Sequence, residues 1–168
     1  MIVARVEFQQ TLQHAVICAG IGVHSGERAR MVIRPAEAGT GIRFRRTDTH
    51  ISSLILARGD HVSEVQLGTT LTNGDGASIA TVEHFLAACA GMGIDNLLVE
   101  IDGPEVPIMD GSSAVFCELF LGAGLKQQPA LRRRLRILDT VEVRDGVKFA
   151  RLSPSTDNVL TLNAKIEF

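Results

Sequence analysis

The adjacent residues Glu83 and His84 are the first candidates for chemistry in this sequence of 168 residues. They fall in the first turns of a predicted helix, about residues 78–90, whose large apolar residues recur at helical spacing. With about 100° of rotation per residue, His84 lies on the face opposite those apolar residues. Its neighbours on that face are small: Ala80, Ala87, Ala88 and Gly91. Because a solvated face usually carries charged residues, this face predicts another element packed closely against it.

Two interpretations of this pair remain open. In the first, His84 is a neutral imidazole that acts as a metal ligand or acid–base group beside the carboxylate of Glu83. In the second, His84 is a partly buried histidine hydrogen-bonded to a backbone carbonyl, and Glu83 is an exposed acid that favours the start of the helix. Position 88, four residues after His84, is alanine, so a metal here needs ligands from other parts of the chain.

Two loop residues, His24 and Asp110, are further candidates. His24 stands in the segment 20–26 (GIGVHSG), where the glycines let the backbone approach a ligand closely. The alternative is a loop histidine that is simply exposed. Asp110 precedes a predicted second helix in the segment 110–113 (DGSS), and ordinary turn and N-cap chemistry is its alternative explanation.

The composition limits the class of protein. Hydrophobic residues make up 45% of the chain, which favours a buried core over disorder. A net charge of −2 gives no electrostatic footprint for nucleic acid. No apolar stretch approaches the roughly 18 residues of a membrane span, and we identify no signal peptide. The three cysteines lack metal-type spacing, so a reducing, cytoplasmic location is expected.

The predicted elements of residues 1–128 are mostly strands, with two helices, and this content fits the two-layer α+β fold that the resemblance described below implies. Strands are predicted over about 11–19, 30–34, 42–46, 65–72 and 94–101, and helices over about 78–90 and 112–123. Ser78 is a plausible N-cap of the first helix, and Gly91 is its plausible C-terminal stop.

A change in composition at residues 126–134 predicts a domain boundary, with a first domain over 1–128. We interpret residues 129–168 as a linker and the incomplete start of a second domain. Arginines 132–134 form either a solvated linker or a phosphate-binding patch. Asp145-Gly146 predicts a hairpin turn, and residues 159–168 alternate as a half-buried strand does. Because that strand ends on an apolar residue, we expect the remainder of the second domain to be missing.

Seven motifs together resemble the UDP-3-O-acyl-N-acetylglucosamine deacetylase family. They occur in the family's order and cover nearly the whole chain, which makes the set specific although each motif alone is weak. The motifs are GIGVHSG (20–26), RRTD (45–48), LGTTL (67–71), TVEH (81–84), GIDN (93–96), PEVPIMDGS (104–112) and DGVK (145–148). The resemblance implies two similar α+β domains that pack with their helices between the sheets.

The resemblance also implies an activity and residue roles. The family hydrolyses the N-acetyl group of UDP-3-O-acyl-N-acetylglucosamine with Zn²⁺ in lipid A biosynthesis. His84 matches its zinc ligand, Glu83 its general base, and Lys148 a residue that contacts the nucleotide end of the substrate. His24 and Asp110 match positions near the site and are assigned supporting roles. The family's other zinc ligands, and the histidine that stabilises its oxyanion, belong to the second domain and are absent from this chain.

Two functions are therefore weighed. In the first, the chain is part of a deacetylase and is inactive by itself. In the second, it is a non-catalytic, half-length homologue that acts as a binding or dimerisation module. Both predict that the isolated chain self-associates or needs its second domain, because an unpaired strand and an alanine-lined helix face would be exposed. A kinase-like small-molecule enzyme is a third hypothesis, disfavoured because the chain lacks a phosphate-cradling GxxxxGK[ST] loop.

Overall fold

The structure is a computed structural model that describes residues 7–49, 53–156 and 160–166. The chain divides into two compact units, Met1–Arg132 and Arg133–Phe168. In chain order the elements are β1 (Phe8–Leu12), β2 (Val16–Ile21), β3 (Arg28–Pro35), β4 (Ile42–Arg46), β5 (Leu54–Leu56), a short 3₁₀ helix (Gly59–His61), β6 (Val62–Glu64), β7 (Thr70–Thr72), β8 (Ser78–Ile79), α1 (Glu83–Met92), β9 (Leu97–Ile101), α2 (Ala114–Ala123), β10 (Leu125–Leu131), β11 (Val141–Asp145) and β12 (Lys148–Leu152).

A five-stranded sheet in the order β2-β3-β9-β4-β5 forms the main layer of the first unit. Its pairs are antiparallel except for β4 and β9, which run parallel. β3 and β9 bury every second side chain, as the alternation of apolar residues in their sequences dictates. Two smaller sheets complete the unit, β1 with β10 and β6-β7-β8.

The two helices pack together over the buried face of the main sheet. Phe85 of α1 lies at the centre, with its ring centroid 5.3 Å from Phe116 and 5.8 Å from Phe120 of α2. Phe44 of β4 approaches the same ring edge-on at 5.7 Å. Such edge-to-face contacts add to the burial of large apolar surface. The predicted α+β class, a sheet covered by a pair of helices, is confirmed. None of the helices in the described part of the chain is long and apolar enough to span a membrane.

Helix α1 begins at Glu83, five residues after the N-cap predicted from the sequence. Ser78 instead belongs to β8, and its carbonyl accepts a hydrogen bond from Arg46 at 2.8 Å. The backbone of Ala80 then pairs with the segment around Glu105, which takes it out of helical geometry. At the other end Gly93, rather than Gly91, caps the helix in the left-handed conformation, with φ at 67°.

Two other segments differ from their prediction. Of the strand expected over 65–72, only β7 forms. Residues 65–69 are a loop, in which Leu67 has the left-handed backbone that a strand does not allow. The interpretation of residues 126–134 as a linker missed β10, which pairs with β1. Just after β10, Arg132 forms an ion pair with Asp95 at 2.8 Å. Its guanidinium is therefore already engaged by a carboxylate, which argues against a phosphate-binding role for this residue.

A buried polar network explains why β10 is stable despite its polar sequence. Asn96 donates to Gln9 at 2.9 Å and to Gln128 at 2.8 Å, and its own side-chain oxygen accepts the N–H of Gly41 at 2.9 Å. The side chain of Gln128 also donates to Ala36 O at 2.8 Å. These bonds join β1, β10, the turn after β3 and the segment before β9. Satisfied networks of this kind specify one arrangement of the elements.

The second unit contains the hairpin β11–β12, whose turn has Gly146 at a positive φ of 59°. This confirms the hairpin predicted from Asp145-Gly146. The strand predicted over 159–168 is wrong for the described residues 160–166, which form no strand and expose Leu160, Leu162 and Ile166. Alternation alone does not make a strand, because a strand also needs a neighbour for its backbone hydrogen bonds. Residues 159, 167 and 168 lie outside the described part.

Candidate functional site

Glu83 is the first residue of α1 and its side chain is exposed. Its Oε1 accepts a hydrogen bond from the backbone N–H of Thr69, which comes from the loop before β7. A carboxylate at this end of a helix is stabilised by the free N–H groups of the first turn. The carboxylate is therefore held in one orientation while it remains open to solvent.

His84 is turned inward, toward α2, and is only 8% exposed. Its ring meets Phe116 edge-on at a centroid distance of 5.3 Å. Nε2 lies 2.9 Å from the carbonyl oxygen of Pro107. Because a carbonyl can only accept, Nε2 is the donor in this bond. This is the contact that the second interpretation of His84 predicts, a buried histidine hydrogen-bonded to a backbone carbonyl.

The expected face around His84 is divided between two sides of the helix. Ala88, one turn after His84, is buried as His84 is. Ala87, Ala90 and Gly91 are exposed and lie on the same side as Glu83. The prediction that His84 shares a face with Ala87 and Gly91 is therefore wrong, because Phe116 of α2 draws the imidazole into the helix–helix contact.

The glycine loop at residues 20–26 presents His24 to solvent. The loop closes through the N–H of Gly26, which donates to the carbonyl of Gly22 at 3.0 Å. Nε2 of His24 donates to the carbonyl of Leu67 at 3.1 Å, which ties this loop to the loop before β7. Position 22 admits glycine alone, since a Cβ there would overlap Ser25 Oγ and lie 2.8 Å from the carboxyl carbon of Glu105.

Glu105 is a carboxylate that the sequence reasoning missed. It is only 2% exposed, and it accepts the N–H groups of His24 at 3.1 Å and Ser25 at 2.8 Å and the hydroxyl of Thr81 at 2.7 Å. Burial alone would raise the pKa of Glu105, but the bonds from Ser25, Thr81 and His24 outweigh it and lower the pKa to about 2. The available signal was a single acid within the apolar stretch 104–109, since acids are rarely buried without partners.

His24 and Glu83 meet on either side of Gly68. A Cβ at position 68 would lie 3.4 Å from His24 Nε2, 3.7 Å from Glu83 Oε1 and 3.8 Å from Thr81 Oγ1. The glycine thus leaves a methyl-sized space lined by an imidazole, a carboxylate and a hydroxyl. Two of the candidates that the sequence singled out are brought together here, although they are far apart in the chain.

In the described part of the chain, three non-glycine residues with left-handed backbone lie close in sequence to candidate residues. They are Leu67, Thr81 and Met109, with φ of 58°, 57° and 56°. Leu67 adjoins Gly68, Thr81 precedes Glu83 by two residues, and Met109 adjoins Asp110. Left-handed backbone costs roughly 1–2 kcal/mol for a residue with a Cβ, and such residues cluster at functional sites.

Asp110 and Lys148, the two other candidates, occupy different parts of the chain. Asp110 is exposed and accepts the N–H and the hydroxyl of Ser112, both at 2.9 Å. The bonds from Ser112 lower the pKa of Asp110, and His84 lowers it further when protonated. This is the turn chemistry that its sequence suggested as an alternative. Lys148 is exposed at the start of β12, in the second unit.

The described residues do not make a complete zinc site. Among them, no three His, Cys, Asp or Glu side chains are grouped so as to hold a metal ion, whereas a catalytic zinc normally has three protein ligands. Burial raises the pKa of the Cys18 thiol to about 11 and raises that of Cys89 as well, which disfavours the thiolate that binds metals. His84 offers one imidazole nitrogen.

Comparison with known proteins gives consistent matches along the chain. Residues 9–168 match the family model LpxC, described as UDP-3-O-acyl N-acetylglycosamine deacetylase. The UDP-3-O-acyl-N-acetylglucosamine deacetylase of Actinobacillus pleuropneumoniae serotype 3 (strain JL03) is 44% identical over 160 residues, which are 95% of this chain and 52% of that protein. The protein of the same name from Shewanella frigidimarina (strain NCIMB 400) is 46% identical over 147 residues, 88% of this chain and 48% of that protein. The chain spans about half the length of the curated relatives it matches.

Proposed function

This chain belongs to the UDP-3-O-acyl N-acetylglycosamine deacetylase family, and we propose that it is the half of such an enzyme that supplies the general base. The reaction is the zinc-dependent hydrolysis of the N-acetyl group of UDP-3-O-acyl-N-acetylglucosamine, a step of lipid A biosynthesis. The observation that carries the proposal is the exposed carboxylate of Glu83, which Thr69 orients and which faces His24 across Gly68. The free thiols of the three cysteines fit a cytoplasmic enzyme.

The proposed role of Glu83 is to take a proton from the water that attacks the acetamide carbonyl. The new carbon–oxygen bond forms as the proton passes from the water to Glu83. The carbon–nitrogen bond then breaks as a proton is delivered to the nitrogen, which releases acetate and a free amine. A carboxylate suits this role because it is ionised at neutral pH and can accept a proton at one oxygen while the other is held. The N–H of Thr69 holds Oε1 in this way.

We propose His84 as one zinc ligand, with the other ligands outside the described residues. A single imidazole does not hold zinc, so these ligands would come from the length of the relatives that this chain does not span. When bound, zinc would polarise the acetamide carbonyl and lower the pKa of the attacking water. In the structure, Pro107 O holds the Nε2 proton of His84, and a partner of this kind fixes the ring orientation of ligating histidines.

The remaining candidates are proposed to bind or support the substrate. An exposed ammonium such as that of Lys148 can meet a phosphate of the UDP group. His24 faces the space at Gly68 and can donate a hydrogen bond there once it leaves Leu67 O. Asp110 holds the turn that precedes α2.

The alternative, a non-catalytic binding or dimerisation module, is favoured by one observation. The described residues lack a complete metal site, so by themselves they do not activate water through zinc. The two proposals differ in what they predict when the missing half is supplied. Only the first predicts that deacetylation then occurs.

The test is a fused protein in which this chain is followed by the unmatched second half of the Actinobacillus pleuropneumoniae relative. We expect the fused protein to bind one equivalent of zinc and to release acetate from UDP-3-O-acyl-N-acetylglucosamine. Glu83→Gln should lower kcat about 100-fold or more, because a general base contributes roughly that much. Zinc content is measured by elemental analysis and acetate by a coupled assay.

Glu118→Gln is the matched control, since Glu118 is an exposed acid in the middle of α2. It should leave kcat unchanged. A fused protein that binds zinc but keeps its turnover in Glu83→Gln would contradict the role of Glu83. A folded fused protein that releases no acetate would favour the binding module.

A further inference from the structure

The buried carboxylate of Glu105 lies where three segments of the candidate site converge. The segments are the glycine loop with His24, the residues before α1 with Thr81, and the loop 104–111 to which Glu105 itself belongs. We propose that Glu105 is a positioning residue that sets the placement of His24 relative to Glu83. Its effect on catalysis rests on the proposed deacetylase function.

The contacts of Glu105 reach across long stretches of the sequence. Its oxygens accept the N–H of His24 at 3.1 and 3.2 Å and that of Ser25 at 2.8 Å. The hydroxyl of Thr81 donates to Oε1 at 2.7 Å. No described residue makes an ion pair with Glu105, so hydrogen bonds from these three residues stabilise its charge. Hydrogen bonds to an ionised acceptor are about twice as strong as neutral ones.

Glu105 does not itself touch a substrate, because it is sealed from solvent. It is 2% exposed, and Gly22 packs so closely over it that a Cβ at position 22 would lie 2.8 Å from its carboxyl carbon. Glu105 can therefore act on the reaction only through the residues it holds. This separates it from Glu83, whose carboxylate is exposed.

A ring of contacts shows how Glu105 reaches the candidate base. It holds the backbone of His24, and the ring of His24 donates to Leu67 O at 3.1 Å. Thr69, two residues after Leu67, donates its N–H to the carboxylate of Glu83. Thr81, two residues before Glu83, donates its hydroxyl to Glu105 and closes the ring. The ring encloses Gly68, so a displacement of Glu105 changes the separation of His24 and Glu83.

The backbone conformation shows that this ring is built against a local preference. Thr81 has a φ of 57° and Leu67 a φ of 58°, both unfavourable for residues with a Cβ. A β-branched residue such as Thr81 keeps that conformation only where its surroundings hold it. The bond from Thr81 to Glu105 is the side-chain contact that does so.

The test replaces Glu105 by glutamine, in the 168-residue chain and in the fused protein. E105Q keeps the shape of the side chain but removes the charge and turns one acceptor into a donor. In ¹H–¹⁵N spectra of the chain, the amide signals of His24 and Ser25 should move, while those of the core residues Ile33 and Val99 stay. In the fused protein, kcat should fall about 10- to 100-fold, the range for a misplaced catalytic group. KM should change less than about threefold.

Three further variants separate positioning from a loss of stability. E100Q removes a half-buried carboxylate that pairs with Arg34 and Arg45 on the sheet, and should leave kcat as in wild type. T81V, made in the protein with an intact Glu105, removes the hydroxyl that donates to Glu105 and should lower kcat. This variant keeps the proposal testable if E105Q does not fold. T81S keeps the hydroxyl and should restore kcat relative to T81V.

The outcomes decide the proposal in either direction. Moved His24 and Ser25 amides with a lower kcat in E105Q and T81V support it. A folded E105Q with wild-type amide positions, or with kcat within about twofold of wild type, overturns it. If the unmutated fused protein releases no acetate, the proposed function fails. The shifts of the His24 and Ser25 amide signals in the E105Q variant of the 168-residue chain then decide whether Glu105 holds His24 in place.

Discussion

Two glycines of the candidate site differ in the space that they leave for a Cβ atom. Gly22 lies against Glu105 and Ser25, whereas Gly68 has neighbours only at ordinary contact distances of 3.4 to 3.8 Å. We predict that Gly22→Ala destabilises the chain by about 1–3 kcal/mol, because the added carbon overlaps a buried carboxylate. Gly68→Ala should change the stability by less than about 1 kcal/mol, since no positive φ constrains it. Urea unfolding of both variants measures the difference.

Equal stability losses in the two variants would contradict this account of Gly22. Gly68 is the appropriate control because it belongs to the same site and carries the same substitution. A third glycine, Gly26, is unsuitable because its φ of 69° would strain any alanine there.

Single residues were predicted from the sequence to different extents. Glu83 and His24 were chosen for their local context, and the structure brings them to one place. Glu105 was missed because its donors Thr81, Ser25 and His24 are 24, 80 and 81 residues away in the chain. Its role depends on which segments the fold brings together. The inward turn of His84 was missed for the same reason, since Phe116 comes from another helix.

At the scale of elements, Asn96 should contribute strongly to stability. Its side chain bonds to Gln9 and Gln128 of the β1–β10 sheet and to the N–H of Gly41, and so joins that sheet to the turn before β4. Asn96→Ala removes these three bonds, and it takes away the side-chain donor of the buried Gln128 Oε1. A buried polar group left unsatisfied costs about 1–3 kcal/mol. We therefore expect a markedly lower urea midpoint, whereas Gln127→Ala on the exposed side of β10 should change the stability by less than about 0.5 kcal/mol. Similar midpoints for the two variants would refute a stabilising network.

Elements with local signals were predicted, and those with distant partners were not. The hairpin β11–β12 follows from Asp145-Gly146, since its turn geometry is a property of adjacent residues. Strand β4 was predicted with its observed bounds, Ile42–Arg46. By contrast, β10 is stabilised by β1 and by Asn96, both remote in sequence. The start of α1 was misplaced because the backbone of Ala80 is bonded to residues 104–106.

At the scale of the whole molecule, we propose that the isolated chain self-associates through the outer faces of its helices. Leu121 of α2 is 66% exposed, and small exposed residues of α1 such as Ala87 and Ala90 offer a flat apolar surface. We predict concentration-dependent association in sedimentation velocity, reduced in Leu121→Lys. Val147→Lys, at the exposed turn of the hairpin in the second unit, makes the same change of charge and should have no effect. A monodisperse monomer of the unmutated chain at high concentration would count against the proposal.

The left-handed residues Leu67, Thr81 and Met109 have a consequence for protein engineering. A selection for thermal stability alone favours glycine or asparagine at these positions, because either residue relieves the local strain. Each such substitution would also remove a side chain from a segment that contains or adjoins Gly68, Glu83 or Asp110, and at position 81 it would remove the hydroxyl that donates to Glu105. Thermostable variants obtained in this way should therefore be screened for turnover at every round, and these three codons are best left out of stabilising libraries.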